Sequence, residues 1–304
     1  MQENVSFASA GLRLSGVLHT PDDDARVARC PAIVVMHGFG STKDAGNVLE
    51  PVQLFTSWGY AALRFDFRGC GESEGEFGRI ICTEEVDDAR AAVGFLRERP
   101  EIDPDRIALA GSSFGAAVAI YAGATDERVA AVISSGGWGD GERKFRAQHP
   151  TPEAWARFTR MLAEGREHRA RTGESLMVPR YDIVPIPQHL RNNVTSKSSQ
   201  QFPAETPQSM MEFRADDVVA RIAPRPLLLL HSAHDSVTPT AESIELFRRA
   251  RPPAELHLFD GVDHFMLREG NPRVVATLRD WLRAYFPARE ARPRAANAGP
   301  RSDH

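Results

Sequence analysis

Two rhythms of apolar positions run along this chain. Over residues 5–19 the pattern alternates, with Leu12, Leu14 and Val17 on the apolar beats, which predicts an antiparallel hairpin at a sheet edge. Later runs are nearly continuous: PAIVVM at 31–36, YAALRFDF at 60–67, the stretch around Ile107 and Leu109 at 106–110, and 129–133. Such runs suit strands covered on both faces. Helical patterns fall between them, at 48–58 closed by Gly59, and from Thr83, read as an N-cap, with Val86, Ala89, Val93 and Leu96 at helical spacing. Strands alternating with helices predict the α/β class, a mostly parallel sheet with helices on both faces.

At Gly136 the rhythm breaks. Residues 136–217 show no clear buried strand, and carry many Arg and Glu, several prolines and scattered aromatics. Thr151-Pro152-Glu153 reads as a helix start, threonine as cap and proline at the first helical position, with Trp155, Phe158 and Leu162 on one face. TSKSSQQ at 195–201 is polar enough to be mobile. A structureless loop of about 80 residues is foreign to a compact domain. The stretch therefore reads as a helical insertion, the alternative being a second domain with its own function. The sheet pattern resumes with RPLLLLH at 225–231, a helix at 240–249, a strand at 255–259 and an amphipathic helix at 273–285. The expected organisation is a core of 1–135 and 218–286, a helical cap at 136–217, and an Ala-, Arg- and Pro-rich tail at 287–304 expected to be disordered.

Candidate chemistry sits at the exits of the predicted strands, where ligands bind in sheets of this kind. RIALAGSSFGAAVAIY at 106–121 reads as strand, tight turn and helix, with Gly111-Ser112-Ser113-Phe114-Gly115 at the turn. In that context G-x-S-x-G is a nucleophile elbow. The glycines leave room for a strained backbone, and Ser113 projects at a helix N-terminus whose N–H groups can stabilise an oxyanion. Asp235 follows the run LLLL, and His264 lies in GVDHF past the strand ending at Phe259, giving the chain order Ser–Asp–His. A serine hydroxyl is a weak nucleophile, so His264 is expected to take its proton, and Asp235 to fix the imidazole tautomer. Asp260 and Asp263 are rival carboxylates near His264, and His234 a rival loop histidine. His231 and His234 lack an evident third ligand, which argues against a metal site. His37 reads as a loop-orienting residue rather than a base.

Composition changes this picture little. The chain has 304 residues and a formal net charge of -4, with no basic run that would call for nucleic acid. No stretch approaches the roughly 20 apolar residues of a membrane span. The first residues lack the basic head and apolar run of a signal peptide, so the sequons at Asn4 and Asn193 read as chance matches. Cys30, Cys70 and Cys82 are sparse and odd in number, which fits reduced thiols and a cytoplasmic location. No cofactor motif and no internal repeat are present.

Together these residues resemble the α/β-hydrolase superfamily. The matching motifs are His37-Gly38-Phe39-Gly40, Asp66-x-Arg68-Gly69-x-Gly71-x-Ser73, the GSSFG elbow, His231-x3-Asp235 and Asp263-His264, spread from about residue 32 to residue 286 apart from the insertion. Within it the chain is most similar to bacterial cinnamoyl and feruloyl esterases, through HGFG, FDFRGxGxS, TEEVDDA and GVDHF. Its elbow departs from theirs, where histidine and glutamine more often flank the serine, and its insertion is longer. The resemblance implies a tetrahedral intermediate, an oxyanion hole made by the backbone N–H groups of Phe39 and Phe114, and a small-molecule ester as substrate with no cofactor. Serine at the elbow argues against relatives that use aspartate there. Peptidase, thioesterase, perhydrolase and C–C bond hydrolase remain alternatives, as does a non-catalytic binding protein that kept the pocket. The insertion leaves the sheet beside the elbow strand, so Trp155, Phe158, Met210 and Met211 are the candidates to line an acyl or aryl pocket. Alternatively, they only hold the insertion onto the core.

Overall fold

The computed structural model describes residues 1–21, 29–194 and 196–288. Most of the tail expected to be disordered and most of the turn after the first hairpin lie outside the described residues. An eight-stranded sheet runs through the molecule in the order β1-β2-β4-β3-β5-β6-β9-β10. β1 (Gln2–Ser9) and β2 (Leu12–His19) form the expected hairpin, and β2 pairs antiparallel with β4 (Ala61–Phe65). From β4 onward all pairs are parallel, through β3 (Cys30–Met36), β5 (Ile102–Ser112), β6 (Ala131–Ser135), β9 (Leu227–Ser232) and β10 (Ala254–Phe259). Their carboxyl ends therefore share one edge.

The period of two along each strand divides the core into two faces. On β3, Ala32, Val34 and Met36 face α2 (Cys82–Arg97) and α3 (Phe114–Thr125). Ile33 and Val35 face α1 (Gly46–Ser57) and α9 (Pro272–Tyr285). Nearly all of α3 is buried, which explains its small residues: a Cβ on Gly123 would lie 2.3 Å from Val132 Cγ2 on the sheet.

Residues 136–217 add no strand to this sheet. They form α4 (Gly141–Gln148), α5 (Pro152–Thr172), the short α6 (Arg180–Ile183), α7 (Glu205–Glu212) and 3-10 turns. They also contain a two-stranded antiparallel pair, β7 (Met177–Pro179) with β8 (Gln201–Pro203), too short to register in the apolar pattern. Thr151 caps α5 as expected, accepting the N–H of Ala154 at 3.2 Å.

Thr83 is not an N-cap. α2 begins one residue earlier, and the N–H of Cys82 donates to Ser209 Oγ at 2.9 Å. The orphan donor is satisfied from α7 of the insertion, a tertiary partner invisible in the local sequence. α8 (Ala241–Arg249) links β9 to β10.

Candidate active site

The elbow is built by sterics. Ser113 has φ 56 and ψ −115, outside the ordinary regions for a residue with a side chain. A Cβ on Gly111 would lie 2.1 Å from the Gly115 carbonyl oxygen, and one on Gly115 would lie 2.5 Å from that of His37. No other residue type fits either place without moving backbone. The Ser113 N–H donates to the Ser135 carbonyl at 2.9 Å, tying the strained residue to β6. Ser112, on β5, is 5% exposed and does not line the cavity described below, whereas Ser113 does.

Loops after β9 and β10 bring Asp235 and His264 together. His264 Nδ1 donates to Asp235 Oδ2 at 2.8 Å, which leaves Nε2 as the unprotonated nitrogen of a neutral ring. The other carboxylate oxygen accepts the N–H groups of Val237 and Thr238 at 2.8 and 2.7 Å. Burial works against the charge of Asp235, but His264 and His231 outweigh it and hold the carboxyl below the usual carboxylate range. The rivals go elsewhere. Asp263 accepts the backbone N–H groups of His264 and Ser236 and so ties the two loops together, while Asp260 pairs with His234 at the surface.

His231 is fully buried behind Asp235. Its Nε2 lies 3.3 Å from Asp235 Oδ2 and 3.0 Å from the Thr238 carbonyl, and its Nδ1 lies 2.6 Å from Ser243 Oγ. Two acceptors at Nε2 place the proton there, with Nδ1 accepting the serine hydroxyl. Among the described residues no cluster of His, Cys, Asp and Glu is arranged to hold a metal ion.

The third part is the loop after β3. His37 is buried, with Nε2 accepting the Phe67 N–H at 3.2 Å and Nδ1 donating to the Gly38 carbonyl at 2.8 Å. Burial pushes its pKa down, consistent with a neutral ring that orients this loop. Asp66 fixes the next few residues by accepting the Lys43 N–H and ammonium, both at 2.6 Å.

Sequence reasoning missed Arg180 on α6. It donates to the carbonyls of Phe39, Gly40 and Ser199, each at 2.8 Å, and lies over the rings of Phe39 and Phe202. With carbonyl acceptors and no carboxylate, burial brings its pKa down to about 10. The N–H groups of Phe39 and Phe114 have no acceptor among the described residues.

Ser113, His264, Phe39 and Phe114 line one small cavity of about 40 Å³ under the insertion. Of the four proposed pocket residues only Met210 lines it. Phe158 is buried against Phe145, His149 and Trp155, and Trp155 lies under the Arg146 guanidinium. Met211 packs on the core outside the cavity. Helical spacing marked the buried face of α5 correctly but carried no information on what that face meets. A more spacious cleft, about 740 Å³ between α5, α7 and the start of α2, contains none of the candidate catalytic residues.

Residues 28–271 match the serine aminopeptidase, S33, family. The chain belongs to that family. This S33-family protein has the α/β-hydrolase fold. It is 28% identical over 282 residues to the thiohydrolase aneE of Aspergillus aculeatus, spanning 86% of this chain and 85% of that one. The crystal structure of the α/β hydrolase GrgF from Penicillium sp. superposes with a TM-score of 0.78 at 24% identity, covering 94% of this chain and 99% of that one. Est1E from Butyrivibrio proteoclasticus, solved with ferulic acid bound, gives 0.66 at 18% identity, covering 93% and 99%. No helix among the described residues is long and apolar enough to cross a membrane.

Proposed function

We propose that this S33-family protein is a serine hydrolase that cleaves a carboxylic ester through an acyl-enzyme. The observation that carries the reading is the strained Ser113 on one cavity with His264, whose ring is oriented by buried Asp235. Nε2 of His264 takes the Ser113 proton as Oγ attacks the carbonyl carbon. The imidazolium that forms is stabilised by the Asp235 carboxylate. Negative charge on the tetrahedral oxygen is met by the N–H groups of Phe39 and Phe114, which have no acceptor to give up among the described residues. His264 then returns the proton to the leaving alkoxide, and water repeats the sequence on the acyl-enzyme. His231 supports Asp235, and we place the protein in the cytoplasm, where the free thiols of Cys30, Cys70 and Cys82 are at home.

A thioester as acyl donor is a second reading, favoured by the similarity to a thiohydrolase. The same residues serve it, because the tetrahedral chemistry is shared. The test is turnover of aryl esters, acyl thioesters and anilides by the purified protein with Ser113→Ala as blank. The variant should stay folded and lose kcat by about 10⁵–10⁶-fold. Full activity in Ser113→Ala together with a dead Ser112→Ala would overturn the assignment of the nucleophile.

A further inference from the structure

Three buried polar groups with no hydrogen-bond partner among the described residues belong to residues that line the cavity beside Ser113. They are Lys144 Nζ, Trp138 Nε1 and Thr238 Oγ1. They come from three places in the chain: α4, the loop leaving β6, and the loop leaving β9. Buried donors are normally satisfied within the protein or by a ligand. Three of them around one cavity next to a nucleophile form a set of hydrogen-bond donors awaiting an acceptor.

Lys144 is the most telling. It is 2% exposed, and its ammonium lies 3.9 Å from the centre of the Phe145 ring and 5.2 Å from that of Trp138. Its neighbour Arg143 pairs with both Glu242 and Asp216, so carboxylates were within reach of α4 but serve the other residue. Ring faces offset only part of what a dry ammonium loses on leaving water. Burial pushes Lys144 down to about 7, against a weaker upward pull from Cys82 and Glu242; Arg180 and His264 share its cavity, and His149 feels its charge. Such a group is held at a cost to the fold, and an anion brought into the cavity would relieve it.

We propose that Lys144, with Trp138 Nε1 and Thr238 Oγ1, forms a subsite for an anionic oxygen of the substrate. The substrate class is then an acyl compound that carries, beside the scissile bond, a carboxylate or the enolate of a 3-oxo group. The cavity has room for a polar group: about 40 Å³ exceeds the roughly 10–15 Å³ needed for one water. The inference rests on the hydrolase reading above and narrows it.

The experiment compares three aryl esters of similar length: a neutral pentanoate, a glutarate half-ester with its free carboxylate, and a 3-oxopentanoate. Wild-type protein should prefer the glutarate or the 3-oxo ester over pentanoate in kcat/KM, and which one is preferred identifies the source of the anionic oxygen. Lys144→Met should reduce that preference by about 10–100-fold, the range for a lost charge-assisted hydrogen bond, mainly through KM. Thr238→Val should reduce it by a smaller factor and serves if the lysine variant does not fold. The melting temperature at pH 7 should rise in Lys144→Met, because an unpaired buried charge is removed. Calorimetric titration of glutarate against pentanoate into Ser113→Ala, with and without Lys144→Met, isolates the second carboxylate and reads the subsite without turnover. Failure of all ester hydrolysis therefore remains distinguishable from failure of the subsite. Equal selectivity in wild type and both variants would overturn the proposal. So would a Lys144→Met protein that is less stable and depressed alike on all three esters, which is the behaviour of a lysine kept for packing.

Discussion

A single carboxylate shows how much one residue can carry. Asp235 is buried, yet four contacts favour its charged form: two backbone N–H groups, the His264 ring and His231. Its folded-state pKa is depressed. By linkage, the stability it contributes is fully present above the ordinary aspartate value of about 3.9 and is lost as pH falls through the depressed folded value. Acid unfolding of wild type should therefore steepen below about pH 4. Asp235→Asn should show a shallower dependence there, measured by thermal melts from pH 5 to 2. The same substitution should lower kcat by about 10⁴-fold, because the amide no longer fixes the tautomer or meets the imidazolium. An Asp263→Asn control should lose far less, since that side chain bonds backbone N–H groups rather than the ring. A comparable loss in both would reassign the partner of His264. This pair of loops was legible in the sequence because each residue lies a few positions past an apolar strand. His231 was legible as a motif position but not as the buried contact behind the carboxylate.

Elements were legible where one chain segment decides its own structure, and illegible where a distant segment does. Strand, turn and helix around Ser113 follow from local sterics, and Thr151-Pro152 set the start of α5. The start of α2 was misread at Thr83 because Ser209, far away in the chain, supplies the cap. Arg180 is a stronger case. In a stretch rich in arginine nothing marks this one, yet it clamps the Phe39 and Gly40 carbonyls from about 140 residues away. Those carbonyls belong to the two peptide units that follow Phe39, while the unit that carries the Phe39 N–H is held at the Gly38 carbonyl by His37 Nδ1 and the Ser41 N–H, so the clamp steadies the loop on the far side of the Phe39 N–H. Lysine cannot reproduce a planar fork that serves three acceptors. Arg180→Lys should therefore lower kcat by about 10²–10³-fold, the range for one lost oxyanion donor, with KM little changed. Affinity for a trifluoromethyl ketone that mimics the tetrahedral state should fall in parallel. Wild-type kcat in Arg180→Lys, or a loss confined to KM, would mean that the clamp does not position the oxyanion loop.

At the scale of the whole molecule, the insertion and the sheet edge divide the work of the site. The sheet edge supplies Ser113, His264 and Phe39, while the insertion contributes Trp138, Lys144, Arg180 and Met210 to the same cavity. Chain pattern could announce that an insertion exists and on which side it leaves the sheet. It could not rank its apolar residues, because the buried face of α5 docks Phe158 on Phe145 and His149 rather than on the site. The two groups of residues should now separate by experiment. Met210 and Phe158 are both buried, at 1% and 2% exposure, so alanine at either should cost about 2–5 kcal/mol of stability. Stability alone therefore does not distinguish them, but the ranking of acyl chains does. Met210→Ala enlarges a cavity of only about 40 Å³ and should shift preference from acetate toward hexanoate esters, by about tenfold or more per accommodated methylene. Phe158→Ala, with Trp155→Ala and Met211→Ala beside it, should depress acetate, butyrate, hexanoate and cinnamate esters in equal proportion. The measurement is kcat/KM across those four esters below each variant's melting temperature. An unchanged ranking in Met210→Ala would show that the acyl chain leaves Ser113 by another route, and a changed ranking in Phe158→Ala would place α5 against the substrate after all.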